Sequence, residues 1–181
     1  MMKTTAEQIR QVKTKRDALK IYADVKADDN FINFAKKYVF TTEHRVSRNA
    51  LWVLTQAQKN EIAQLQSQLN QLIDLAMQTA DSAVRRLSLN IIERLELRQD
   101  DTRVDFLDYC LEHMIRIDET SATQAVCMKL AHRMCLPYPE LIDELKRTLE
   151  NMDMNHYKPA AKCIRTKILS NKLQQKHSKK G

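Results

Sequence analysis

The sequence predicts an all-α protein, a right-handed α-solenoid made of antiparallel helix pairs. Three observations predict it: glycine is nearly absent, helix-capping residues divide the whole chain into helices, and apolar residues repeat with a period of about 38 positions. The 181 residues include one glycine, Gly181, and three prolines, which disfavours a sheet protein with tight hairpins. Alanine, leucine, glutamine, lysine, glutamate and arginine, which favour helices, are abundant throughout the chain.

The lack of internal glycine also excludes several kinds of functional site. Phosphate-binding loops, dinucleotide fingerprints and nucleophile elbows need glycine where the backbone must approach a ligand closely or adopt a positive φ. No apolar run is long enough to span a membrane, and the N-terminus lacks the apolar core of a signal peptide. We therefore expect a cytoplasmic protein that does not enter a membrane and needs no cofactor.

Capping residues divide the chain into about nine helices. Thr4 and Glu7 predict a capping box for a first helix that reaches Lys26. The next helices are predicted from Asp28 or Asp29 to Phe40, Thr42 to Thr55, Gln58 to Thr79, Asp81 to Leu97, and Asp100 or Asp101 to Ile117. The last three begin at Thr120 or Ser121, at Pro139, and at Asn155 with Pro159 in the first turn.

One constant shift along the chain aligns apolar positions on both helices of each predicted pair. On the first helices it aligns Leu54, Ile92, Leu130 and Ile168, and also Val46, Val84, Ala122 and Ala160. On the second helices it aligns Phe31, Leu69, Leu107 and Leu145; Ala35, Ile73, Leu111 and Leu149; and Tyr38, Ala76, Met114 and Met152. These spacings place each set on one buried stripe. We predict one domain over residues 1–175, with four pairs and a final half pair, and a basic disordered tail over 176–181.

This period and apolar pattern resemble the HEAT and armadillo-like superfamily of helical-repeat proteins over about residues 5–173. The resemblance implies helix pairs stacked into a superhelix, whose exposed surface serves as a scaffold or adaptor for another protein. The same superfamily includes DNA glycosylases that remove alkylated bases with aromatic residues and a catalytic aspartate. No position of this sequence matches that aspartate, so the resemblance favours a non-enzymatic function.

A basic residue recurs at one repeat position. Arg10, Arg48, Arg86, Gln124 and Lys162 share it, and position 48 points about 170° away from the apolar stripe. We therefore predict an outward-facing basic ladder. The alternative is that these arginines pair with acids of neighbouring repeats.

One aromatic residue accompanies the ladder. Trp52 and His44 lie four residues on either side of Arg48, so the three share one helix face. An aromatic ring beside cations can hold a peptide or stack on a nucleobase, whereas ordinary packing is the alternative for Trp52.

The end of the sequence is basic, within a chain of net charge +7. Eight lysines and arginines and no acid follow Met154. The spacing places five of them on one helical face: Lys158, Lys162, Arg165, Lys172 and Lys176. Such a stripe attracts phosphates or acidic partners, and a solubilising cap on the terminal helix is the alternative.

The four cysteines are predicted to be free thiols. Cys110 and Cys163 fall in apolar columns and are expected in the core, and the spacing of Cys127, His132 and Cys135 does not match a zinc site.

Taken with the exclusions above, the sequence predicts a non-enzymatic scaffold that binds another protein. The alternative is a HEAT-like protein that binds nucleic acid through the basic column and the C-terminal helix, similar to the alkylated-base glycosylases.

Overall fold

The computed structural model describes residues 4–99 and 103–173, and every regular element in these ranges is helical. The all-α prediction is therefore confirmed. The described residues fall into two compact units, unit 1 over residues 4–96 and unit 2 from residue 97 onward.

Unit 1 contains seven α-helices and one 3₁₀ turn. They are α1 (Ala6–Arg10), α2 (Lys15–Ala27), α3 (Phe31–Tyr38), α4 (His44–Thr55), α5 (Lys59–Ala63), the turn Gln64–Gln68, α6 (Leu69–Gln78) and α7 (Ser82–Ile92). Helix α4 lies at the centre and packs against α1, α2, α3 and α7. Helices α6 and α7 pack together and are joined by three residues, so they form an antiparallel pair.

Unit 2 contains four α-helices in its described part. They are α8 (Val104–Ile115), α9 (Ser121–Cys135), α10 (Pro139–Glu150) and α11 (Pro159–Leu169), with a 3₁₀ turn at Met154–His156. Helix α9 packs against α8, α10 and α11. The backbone N–H of Ala161 donates a hydrogen bond to Oγ of Ser121 at 3.2 Å, so α9 and α11 begin side by side.

The prediction of one helix from Thr4 to Lys26 is wrong, because the chain contains two capping boxes in succession. Thr5 forms the first with Gln8. Thr14 forms the second with Asp17, whose carboxylate accepts a hydrogen bond from the Thr14 backbone N–H at 2.9 Å. The helix therefore stops after Arg10 and starts again at Lys15. The backbone carbonyl of Thr4 instead accepts a hydrogen bond from the Tyr38 hydroxyl at 2.7 Å.

Other predicted helix boundaries divide into confirmed and corrected ones. Asp81 and Thr120 cap α7 and α9 as predicted, and Pro139 begins α10. The helix predicted from Gln58 to Thr79 is interrupted by the 3₁₀ turn. Several ends are shorter than predicted: α3 begins at Phe31, after Asp29 adopts a φ of 43°, α4 begins at His44, α7 ends at Ile92, and α11 begins at Pro159. The caps predicted at Asp100 or Asp101 lie outside the described residues.

The predicted core is confirmed in most columns. Leu54, Ile92, Leu130 and Ile168 are each fully buried, and nearly all members of the second-helix columns are buried. Leu111 is the exception among these, because it is half-buried.

The column that contains Ala122 and Ala160 was assigned one residue too early. Both side chains are exposed, and the neighbouring Thr123 and Ala161 are fully buried. The reason lies in the helix starts: α4 and α7 begin one repeat period apart, whereas α9 begins one residue later than that period places it. The buried site is the third residue of each of these helices. The same slip leaves Cys163 exposed rather than in the core.

Candidate binding groove between α4 and α7

A groove of about 720 Å³ lies in unit 1 along α4 and α7. The two helices contribute equivalent positions, each pair separated by one repeat period, and the connection between α1 and α2 adds Val12 and Lys13. The equivalent pairs are Arg45 and Ala83, Arg48 and Arg86, Asn49 and Leu87, Trp52 and Asn90, and Thr55 and Glu93.

Two sets of hydrogen bonds position the elements that line the groove. Arg94 follows the last turn of α7 and donates to the backbone carbonyls of Thr55, at 3.4 Å, and Ala57, both at the end of α4. The ends of α4 and α7 are therefore adjacent, so the two helices run in the same direction. Asn49, which is 3% exposed, donates from Nδ2 to the carbonyls of Ile9 and Val12 at 2.9 and 3.1 Å, which fixes Lys13 beside the groove.

The described lining of the groove carries five cationic side chains and one carboxylate. The carboxylate is that of Glu93, and the cations are Lys13, Arg45, Arg48, Arg86 and Arg94. Arg48 and Arg86 are half-buried, and within the described residues neither guanidinium has a hydrogen-bond or ion-pair partner. Five donors in a planar fork without an acceptor are well suited to a carboxylate or a phosphate.

The charge changes along the groove. Arg45, Arg48 and Arg86 lie in the first half of α4 and α7, and Trp52 and Asn90 lie one turn further. The far end of the groove is less positively charged. There the guanidinium of Arg94 is committed to the two backbone carbonyls, and Glu93 adds a negative charge. Burial lowers the pKa of Arg94, and the charge of Glu93 opposes that effect.

The structure brings three of the predicted site residues together, namely Arg48, Trp52 and Arg86. His44 is exposed at the first residue of α4 and does not line the groove. Whether these residues bind a partner stays a prediction.

Arg10 pairs with acidic side chains, as the alternative to an outward-facing basic ladder predicted. Its guanidinium contacts Glu7 and donates to both oxygens of Glu43, from Nε at 2.5 Å and from a terminal nitrogen at 2.8 Å. The hydrogen bond from Arg10 lowers the pKa of Glu43. Since Glu43 precedes the first residue of α4, this pair joins α1 to the start of α4.

The predicted basic face of the last helix is shorter than expected. Lys158 and Lys162 are exposed, whereas Arg165 donates to the carbonyls of Leu149, at 2.5 Å, and Glu150, at 3.2 Å. Lys172 is not on this face, because α11 ends at Leu169 and the chain turns at Asn171, which has a φ of 53°. Lys176 and the predicted tail over 176–181 lie outside the described residues.

The sequence did not predict five of the charged and polar residues that line the groove, namely Lys13, Arg45, Asn90, Glu93 and Arg94. The repeat itself contained the signal for two of them, since the shift that carries Arg48 to Arg86 also carries Trp52 to Asn90 and Thr55 to Glu93. Arg45 had no such signal, because its equivalent is Ala83.

The cysteines in the described chain are free thiols, as predicted. Cys110, Cys127 and Cys135 are buried. Burial, and after it a hydrogen bond with Cys127, raises the pKa of the Cys110 thiol, and burial raises that of Cys135 to about 11. Among the described residues, no cluster of histidine, cysteine and acidic side chains is arranged to hold a metal ion. None of the helices in residues 4–99 and 103–173 has the length and apolar character needed to cross a membrane.

Comparison with known proteins identifies the family of this chain. A family model described as a HEAT repeat domain matches residues 5–172. No curated protein and no solved structure shows significant similarity to the sequence. The match covers nearly all of the predicted repeats and confirms the HEAT-like pattern. The chain belongs to the HEAT repeat family.

Proposed function

We propose that this HEAT-repeat chain is a non-enzymatic scaffold that binds another protein in the groove between α4 and α7. One observation carries the proposal: the half-buried guanidiniums of Arg48 and Arg86 lack partners within the described residues and lie in one groove with Trp52. Tryptophan and arginine are the residues that most often dominate the binding energy of protein interfaces. HEAT repeats expose long surfaces of this kind, which supports a partner the size of a protein segment.

Two further proposals concern the setting of this scaffold. Because the family match extends from residue 5 to residue 172, across both units, we propose that residues 1–175 form one repeat domain. We also propose that the protein is cytoplasmic, since the cysteines of its described residues are free thiols, as is usual in a reducing compartment.

The test is a capture experiment with a matched control. The tagged protein, the variant Arg48→Glu/Arg86→Glu and the control Arg16→Glu/Lys36→Glu are each incubated with extract of cells that express the chain. Both variants change the net charge equally, and Arg16 and Lys36 are exposed and outside the groove. We expect a protein that survives nuclease treatment, is lost with the groove variant and is kept with the control. Equal capture by the wild type and the groove variant would show that the groove is not the binding site.

Nucleic acid is the second candidate, because the five lining cations beside an aromatic ring also suit a phosphate backbone. A nucleic-acid site shows affinity that falls steeply with salt, and the slope decreases by about one for each lost phosphate contact. Titration of DNA and RNA at several salt concentrations therefore separates the two functions. A salt-dependent affinity that decreases in Arg48→Ala/Arg86→Ala would replace the scaffold proposal with nucleic-acid binding.

A further inference from the structure

We infer that the groove binds an extended acidic segment of the partner. Two adjacent carboxylates of the segment contact Arg48 and Arg86, and an apolar side chain two residues after the acid at Arg48 contacts Trp52. This inference rests on the proposed function and names the chemical class of its ligand.

The first step is the position of the charges. Arg45, Arg48 and Arg86 all line the first half of the groove, where the described lining has no carboxylate. Arg48 and Arg86 belong to opposite walls, because one lies on α4 and the other on α7. Adjacent side chains of an extended chain point to opposite sides. Two consecutive acidic residues would therefore present one carboxylate to each wall.

The second step is the distance to the aromatic ring. Trp52 lies four residues after Arg48 on α4, which corresponds to about 6 Å along the helix. An extended chain advances about 3.3 Å per residue, so two residues cover this distance. Residues two apart in such a chain point to the same side. The side chain two residues after the acid at Arg48 therefore reaches Trp52 on the same wall, whichever of the two acids meets Arg48.

The third step concerns the backbone of the segment. Asn90 lies opposite Trp52 and is half-buried, and its carboxamide has no hydrogen-bond partner among the described residues. A carboxamide both donates and accepts hydrogen bonds. An extended peptide has unpaired N–H and C=O groups, so Asn90 can satisfy one of each.

The asymmetry of the groove favours a peptide over a nucleic-acid strand. A strand carries a phosphate on every nucleotide, so it would bring negative charge past both ends of the groove. Glu93 and Arg94 lie together at the far end, so that end offers a strand no net positive charge, and the guanidinium of Arg94 already donates to two carbonyls. A peptide that is acidic at one end and apolar after it places no negative charge beside Glu93.

Trp52 makes the test direct, because it is the only tryptophan in the chain and its emission reports on the groove. The probe is an end-blocked peptide with two adjacent glutamates, one serine and one leucine. One comparison peptide has two serines, so that its leucine lies two residues from neither glutamate, and another has glutamines in place of the glutamates. We expect the first peptide to change Trp52 emission and to bind several-fold more tightly than the peptide with two serines. Loss of both charged hydrogen bonds should weaken the glutamine peptide by roughly tenfold or more.

Variants link the binding to the named side chains. Arg48→Ala/Arg86→Ala should weaken binding of the peptide by roughly tenfold or more, as expected for two charge-assisted contacts. Asn90→Ala should weaken it by a smaller factor. The matched control Arg16→Ala/Lys36→Ala should leave it unchanged, since both side chains are exposed outside the groove.

Three outcomes would overturn the inference. In the first, neither glutamate peptide changes Trp52 emission. In the second, the peptides with one serine and with two serines bind equally. In the third, an oligomer of deoxythymidine changes the emission and the glutamate peptides do not, which assigns the groove to nucleic acid. If the capture experiment still yields a protein that depends on Arg48 and Arg86, the scaffold proposal stands and only the peptide pattern fails.

Discussion

Helices α4 and α7 of unit 1 and helices α9 and α11 of unit 2 are two pairs of neighbours that run in the same direction, yet their shared repeat position differs. In the first pair, that position holds Arg48 and Arg86, which line a groove without partners among the described residues. In the second pair it holds Gln124 and Lys162. Gln124 is 3% exposed and donates from Nε2 to the carbonyl of Arg116 at 2.7 Å, which fixes the turn before α9.

The difference follows from where each helix begins. Arg48 and Arg86 are the fifth residues of α4 and α7, whereas Gln124 and Lys162 are the fourth residues of α9 and α11. One residue corresponds to about 100° around a helix, so the equivalent side chains leave the helix on different faces. The shift in register therefore moves Gln124 to a buried site in α9, whereas Lys162, at the same position of α11, stays exposed.

The largest expected effect tests whether unit 2 has a core of its own. Leu130 is fully buried in α9, and Leu130→Ala should lower the free energy of unfolding by about 2–5 kcal/mol. Because repeat proteins transmit damage mainly to neighbouring helices, hydrogen exchange should rise most over residues 103–173. An equal rise over residues 4–96 would show that the two units unfold as one.

A reciprocal exchange tests the role of register directly. Gln124→Arg places a cation at a buried site and removes the hydrogen bond to the Arg116 carbonyl, so it should cost about 2 kcal/mol or more. Arg86→Gln should change stability by less than about 0.5 kcal/mol, because the Arg86 side chain has no partner to lose among the described residues. Urea unfolding of both variants supplies the measurement. Similar costs for the two changes would mean that the register argument is wrong.

The sequence predicted helices, period and core well, because buried apolar residues recur whenever two helices pack. It predicted the candidate site less well. Residues seven and eight positions apart on a helix both return to the buried face, so a one-residue shift in where a helix begins leaves the apolar stripe intact. Ile92 and Leu130 are therefore both buried, although the polar positions between Arg86 and Gln124 have rotated. The sequence did not predict the pairing of Arg10 with Glu43 either, because this contact depends on the helix break after α1.

The smallest expected effect is a pH-dependent stability that distinguishes Arg10 from Arg48 and Arg86, which occupy the same repeat position. The Arg10 guanidinium holds the pKa of Glu43 below the ordinary value of 4.5 in the folded protein. A carboxyl group with a depressed folded pKa contributes stability that is present above its unfolded pKa and is lost as the pH falls through the folded pKa. Arg10→Ala should therefore be slightly less stable than the wild type at neutral pH, and the two should converge in acid.

The contribution is small because both side chains are partly exposed, and ion pairs near the surface are weak and screened by salt. Thermal unfolding from neutral pH down to about pH 3 measures the convergence, since an ordinary carboxyl group titrates near pH 4. Arg48→Ala supplies the matched control, because its guanidinium has no carboxylate partner in the described chain. Its stability difference from the wild type should stay constant over the same pH range. A pH-dependent difference in Arg48→Ala would mean that Arg48 also pairs with an acid, and the groove would then lack the unpartnered cation on which the proposed binding depends.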